Sequence, residues 1–188
     1  MKWKWFLVIP LLALATGCAT SGGSASGGSG ASAPNVYVAR EAKRITKVGI
    51  LPFKAATSLI GGSVSDQFVT EMMKLTRYEL VERAQMSGVL GETEVALSGL
   101  TAGQAAQLGQ MAGAQGVIIG TVSEYETVAL GGRTYPVVGI SIRLIDCNTG
   151  RILWSVDHAA RGNRGDTLAQ HSRKVVHDMA AALNRNLR

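Results

Sequence analysis

An apolar run ends too soon to cross a membrane. Trp5 to Ala15 is an apolar stretch of 11 residues, preceded by Lys2 and Lys4. A bilayer-spanning helix needs about 20 such residues, whereas the core of an export signal needs only ~7–15. The run closes on the small residues Ala15, Thr16 and Gly17 before Cys18, and residues 19–34 are then almost wholly Gly, Ser, Ala and Thr. Neither piece can join a packed core. Residues 1–17 are therefore predicted to be a removed signal peptide, 18–34 a modified cysteine with a flexible tether, and 35–188 one folded domain.

The sequence Ala15-Thr16-Gly17-Cys18 resembles the lipobox of bacterial lipoproteins, in which a diacylglyceryl group is attached to the thiol before cleavage. The match departs at one place, with Ala15 where Leu is common and Leu14 one step upstream. Cys18 is the expected lipidation site, carrying palmitate-type chains. Residue 19 is Ala and not Asp, which by the lipoprotein sorting rule implies the outer membrane, periplasmic face, of a Gram-negative cell. The tether has an r.m.s. span of roughly 20–24 Å and reaches about 55 Å at full extension. Removing Lys2 and Lys4 takes Lys+Arg from 19 to 17 against 13 Asp+Glu, a mature charge of 17 − 13 = +4. With Cys18 acylated, Cys147 stands alone, and beside Asp146 it reads as a structural thiol rather than a reactive one.

The remainder carries the periodicities of an α/β (α+β) chain. Val36–Val38 reads as a short edge strand, Arg44–Phe53 as a strand stopped by Pro52, and Ala55–Gly62 as a loop. Ser63 and Asp66 resemble a capping box ahead of a helix bearing Val64, Phe68, Met72 and Leu75. Tyr78–Val81 alternates as a strand, and Arg83–Leu90 suits a short helix. Thr101 and Gln104 form a second capping box, before a helix that Gly113 ends. Gln115–Tyr125 is apolar on both faces at its start and predicts a central strand. Val138–Ile145 alternates, Asn148-Thr149-Gly150 is a hairpin turn, and Ile152, Trp154 and Val156 belong to the return strand, all three on its buried face. Asp166 is the expected cap of a last helix with Leu168, Val175, Val176, Met179 and Leu183 on one side. The order β-α-β-α-α-β-β-β-α predicts a mixed β-sheet packed with helices, a single compact domain.

The blocks VGILPF, DQFVTEMMKLTRYELVER, LTAGQAAQLGQMAGAQGVIIGTVSEYE and ISIRLIDCNTGRILWS, in this order over roughly residues 45–157, resemble the CsgG family, the curli production assembly/transport component. The resemblance implies an outer-membrane lipoprotein with a periplasmic α/β domain. In the family's best-known member it implies a ring-shaped channel whose barrel is built from two long hairpins inserted in the domain. Spanning strands take about 9–11 residues each. Here the first insertion point, around the turn Leu130-Gly131-Gly132-Arg133, has arms that coincide with the domain's own strands. The second, His158–Gly165, is polar and Gly-rich and shows no alternation. The expectation is a CsgG-like domain without its own pore.

Candidate chemistry is thin. Ser58–Ser63 could face an anion as a loop before a helix, but it lacks the GK[ST] ending that places a lysine on phosphate. His171 and His177, six apart, fall on different helix faces, and with His158 they read as solvated polar residues rather than metal ligands. No G-x-S-x-G occurs, and neither cysteine is placed with a base. No cofactor, metal or catalytic residue is predicted, so the chain is not expected to be an enzyme. The basic residues Arg161, Arg164, Arg173, Lys174, Arg185 and Arg188 suggest a solvated face with some contact to acidic headgroups, and an exported protein meets no nucleic acid. The expected role is a non-catalytic accessory or scaffold in curli-type secretion or outer-membrane assembly, with protein partners and a ring-forming homo-oligomer in view. The alternative is an outer-membrane lipoprotein activator of peptidoglycan synthesis, against which the short tether counts.

Overall fold

A computed structural model describes residues 32–76, 78–81 and 100–188. The signal segment, Cys18, most of the tether and the helix expected at Arg83–Leu90 lie outside the described residues. The strands are β1 (Asn35–Val38), β2 (Lys47–Ile50), β3 (Glu79–Val81), β4 (Gly116–Leu130), β5 (Arg133–Asp146) and β6 (Ile152–Arg161). The helices are α1 (Ser58–Leu75), α2 (Ala102–Met111) and α3 (Leu168–Leu187), and a 3-10 turn over Arg40–Arg44 precedes β2. They form one mixed six-stranded sheet of order β1-β6-β5-β4-β2-β3. The pairs β1/β6, β6/β5 and β5/β4 are antiparallel, and β4/β2 and β2/β3 are parallel.

Two cores follow from this layering. On one face α1 and α3 cover Ile118, Ile140, Ile142, Leu144, Trp154 and Val156 with Phe68, Met72, Val176, Met179 and Leu183. On the other, α2 seals Leu51, Val117, Ile145 and Cys147 under Ala105 and Leu108. β4 sits inside the sheet, as its apolar start requires, with Val117 and Ile118 both fully buried on opposite faces. α3 is strongly amphipathic: Val175, Val176, Met179, Ala180 and Leu183 recur at helical spacing and are all buried.

Several boundaries differ from the sequence expectation. α1 begins at Ser58, not at Ser63, so the expected loop Ala55–Gly62 is half helix. Thr57 is its cap, extended at φ −134 and accepting from the Ile60 N–H at 3.3 Å. The early start works because residue 61 is Gly: a Cβ there would lie 1.9 Å from the Phe53 carbonyl oxygen. β2 is shorter than Arg44–Phe53, because the 3-10 turn takes Arg44 and Pro52 has no N–H to give. Past it the chain still follows β4 through Lys54 N–H to Gly120 O (2.8 Å) and Val122 N–H to Lys54 O (2.7 Å).

The cap of α3 is Thr167, which shares a reciprocal capping box with Gln170, while Asp166 accepts from the Asn163 N–H (3.1 Å) and Lys174 Nζ (2.9 Å). At α2 the expected Thr101–Gln104 box is present. Ile152 does not share the buried face of Trp154: it is 42% exposed against 0%. The register slips between Leu144 and Ile145, so Leu144 pairs with Trp154 and Ile145 with Ile152, and Leu153 turns inward instead.

Candidate interaction surface

β4 and β5 are longer than the sequence alternation indicates, and their excess projects from the sheet as a two-stranded ribbon. Seven residue pairs, Glu124↔Gly139 through Leu130↔Arg133, continue beyond the bulge at Val122/Glu124. The turn is Gly131-Gly132, with φ of 57° and 72°, the positive pair a two-residue hairpin of primed type needs. One ribbon face carries Tyr125, Thr127, Ala129, Thr134 and Pro136, and the other Glu124, Glu126, Val128, Leu130, Arg133, Tyr135 and Val137. Arg161, next to Val137 in register, lays its guanidinium over the Tyr135 ring at 5.1 Å.

The expected polar connection His158–Gly165 is in part strand. His158–Arg161 completes β6, with His158 and Ala160 buried and Ala159 and Arg161 exposed. Alternation was masked there because the inward residues are an imidazole and a small alanine rather than large apolar groups. His158 and His171 are accordingly not solvated: they are 6% and 4% exposed, one on β6 and the other on α3. His171 Nε2 donates to the Ala160 carbonyl at 2.8 Å, beside Pro136 and Gly162 at the ribbon's root. The Nδ1 atoms of both rings are buried with no hydrogen-bond partner. His177 is solvent-facing and donates through Nδ1 to Glu71 at 2.7 Å. The Glu71 carboxyl is held below its usual range, first by the Lys74 ammonium at 2.8 Å and then by His177.

Burial lowers the pKa of His158, with Asp178 and Asp157 opposing and His171 reinforcing. Its folded-state value lies below the unfolded value near 6.5, so protonation favours the unfolded chain. The domain is therefore expected to be at full stability above about pH 6.5 and to lose stability as pH falls from there through the folded-state value. His158→Gln should flatten that slope in denaturation midpoints measured between about pH 7.5 and 5. An unchanged slope would assign the acid sensitivity elsewhere.

The remaining candidates are structural. Cys147 is buried under α2, and burial first, then Asp146, pushes its thiol up to about 11, which suits packing and not nucleophilic work. Ser58–Ser63 is the first turn of α1 and lies along an open groove of about 910 Å³ between α1 and α3, which also includes Asp66, Glu71 and Arg173. Arg161, Arg164, Arg173, Arg185 and Lys174 are exposed on β6, the following turn and α3. Among the described residues no three His, Cys, Asp or Glu side chains come together as a metal site. Cys18, the expected lipidation site, lies outside the described residues.

Comparison with known proteins agrees with this architecture. Similar solved structures include the PelC dodecamer from Paraburkholderia phytofirmans, at 16% identity and a TM-score of 0.59 over 79% of this chain and 94% of that one. Lipoprotein GNA1162 from Neisseria meningitidis matches at 19% identity and a TM-score of 0.52 over 72% and 98%. The LpoB C-terminal domain from Salmonella enterica is more distant, at 16% identity and a TM-score of 0.46 over 61% and 82%. No curated protein sequence matches the chain. The model of the curli production assembly/transport component CsgG matches residues 42–176. The chain belongs to the CsgG family.

Proposed function

We propose that this protein is a non-catalytic accessory of the outer membrane, a lipoprotein held at the periplasmic face through Cys18, whose domain assembles into a ring. In that form it serves as a scaffold or collar for secretion or envelope assembly of the curli type. The family match over residues 42–176 carries the reading. The signal segment closing on Cys18 and the Gly/Ser tether support the anchor. The likeness to a lipoprotein and to a dodecamer of the same fold is consistent with both the attachment and the ring.

The ribbon favours a collar over a channel. Its seven pairs, at about 3.4 Å per residue, amount to roughly 24 Å, short of the ~30 Å hydrocarbon core even before any tilt. One of its faces carries Glu124 and Glu126, and the other is mostly Thr, Ala and Pro, so neither presents the apolar band that lipid demands. The purified full-length protein, reconstituted in planar bilayers, is expected to leave the conductance at baseline. A discrete and reproducible single-channel step from the pure protein would restore the transporter reading.

A further inference from the structure

The basic side chains do not form one face, because the fold sends them to opposite ends. Asn35 opens β1 at the ribbon end of the sheet, and β1 runs from there toward the 3-10 turn. α3 starts beside the ribbon root, where His171 meets Ala160. Its 20 residues then carry the chain about 30 Å to the far end. There Arg185 and Arg188, three apart on the last turn, stand beside Arg40, Lys43 and Arg44 of the 3-10 turn. All five are exposed, and Glu41 is the one acid of that turn. At the ribbon end Lys174 pairs with Asp166 at 2.9 Å and Arg161 lies over Tyr135. At the far end, among the described residues, none of Arg40, Arg44, Arg185 and Arg188 is in an ion pair.

A recess of about 380 Å³ opens among these cations, with Leu75, Tyr78 and Leu187 as apolar walls and the exposed Lys43 and Arg188 on its rim. Lys43 Nζ donates to the Arg188 carbonyl at 2.9 Å and ties the turn to the end of α3. Residues three apart eclipse in a 3-10 helix, so Arg40 shares the face of Lys43, while Glu41 falls with Arg44 on another. No acidic side chain is among the described residues that line the recess. The negative end of the α3 dipole accounts for Arg185 and Arg188, but not for Arg40 on a separate turn. Guanidinium groups gathered beside apolar carbon suit carboxylates, which they hold through paired hydrogen bonds.

From this geometry we infer that the recess docks an acidic segment of another protein. A large apolar side chain of that segment enters between Leu75 and Leu187, and flanking carboxylates meet Arg40, Arg185 and Arg188. Placement sets this partner apart from the lipid surface, since the recess lies the length of α3 from the end at which the tether joins. The contact goes beyond the collar reading and depends on neither the ring nor the acyl anchor. Charge steers it, so it weakens as salt rises.

The probe is a labelled peptide of alternating Glu and Leu, titrated against the full-length protein in neutral detergent and read by fluorescence anisotropy. Wild type is expected to bind it, and to bind a Gln/Leu peptide at least about tenfold more weakly. Arg185→Glu/Arg188→Glu should lose at least about tenfold in affinity for the acidic peptide and gain affinity for a Lys/Leu peptide. A merely damaged fold would show no such gain. Arg164→Glu/Arg173→Glu makes the same change of net charge toward the ribbon end and should leave binding unchanged; an equal loss there would overturn the site. A Glu/Gly peptide bound as tightly as the Glu/Leu peptide would show the recess unused and overturn the docking. Displacement of the peptide by phosphatidylglycerol vesicles, with phosphatidylcholine vesicles inert, would hand the surface to acidic lipid instead. Failure of the wild type to bind the acidic peptide at low salt would overturn the proposal outright.

Discussion

Trp154→Ala is expected to cost about 3–5 kcal/mol, the range for emptying a fully buried aromatic site, out of the ~5–15 kcal/mol a domain usually holds. The ring has no exposed surface and lies in the core shared with Tyr78, Met179 and Leu183. Its strand is clamped on both sides, by Val38 of β1 and Leu144 of β5, so the backbone cannot collapse into the vacated space. The indole N–H donates to the Tyr78 hydroxyl at 3.2 Å, tying β6 to the chain entering β3. Trp154→Phe keeps most of the volume and loses this bond, so its cost should be nearer ~1 kcal/mol. Chemical denaturation reads both as a shift in midpoint at constant slope. A midpoint unmoved by the alanine would mean that the indole points to the opposite face of the sheet.

Where sequence periodicity is set by large apolar residues, the fold was legible. The alternation of Val138, Ile140, Ile142 and Leu144 located β5, and the Thr101–Gln104 box located the start of α2 to the residue. Local rules failed where tertiary contacts decide. Ser63 and Asp66 match a capping box, yet the helix starts a turn and a half earlier because Thr57 is extended and Gly61 can lie against Phe53. Asp166 loses the cap to Thr167, whose spacing to Gln170 gives a reciprocal pair. The ribbon was underestimated for a related reason. Beyond the sheet no helix selects an apolar face, so Glu126–Leu130 and Arg133–Val137 carry mixed residues, and strand identity there comes from pairing across the Gly131-Gly132 turn. The two buried histidines were hidden by type, since imidazoles are read as surface groups until a strand and a helix close over them.

Cys18→Ala is expected to abolish lipid anchoring, leaving either an unacylated precursor held in the inner membrane by its signal segment or a protein free in the soluble fraction. Each buried methylene of an acyl chain contributes about 0.8 kcal/mol; one chain holds weakly, whereas two or three hold in practice permanently. Among the described residues no helix is long and apolar enough to cross a bilayer, and the large exposed apolar side chains, Tyr37, Leu59, Met73, Met111, Leu130 and Ile152, are spread over five elements, β1, α1, α2, β4 and β6. Radioactive fatty acid fed to cells should label the wild type and not the variant. Cys147→Ala is the matched control, because a thiol buried under α2 and pushed up to about 11 is a poor acceptor, so this variant should keep its full label. The tether adds a geometric consequence. With Cys18 acylated as proposed, a reach of about 55 Å would keep the domain within that distance of the anchoring leaflet. Confinement to a surface raises local concentration, so a contact too weak to hold in dilute solution can close at the membrane. Loss of the label should therefore be accompanied by loss of in-cell crosslinking between copies. Label retained on Cys18→Ala would place the lipid on another residue and remove the basis of the anchor.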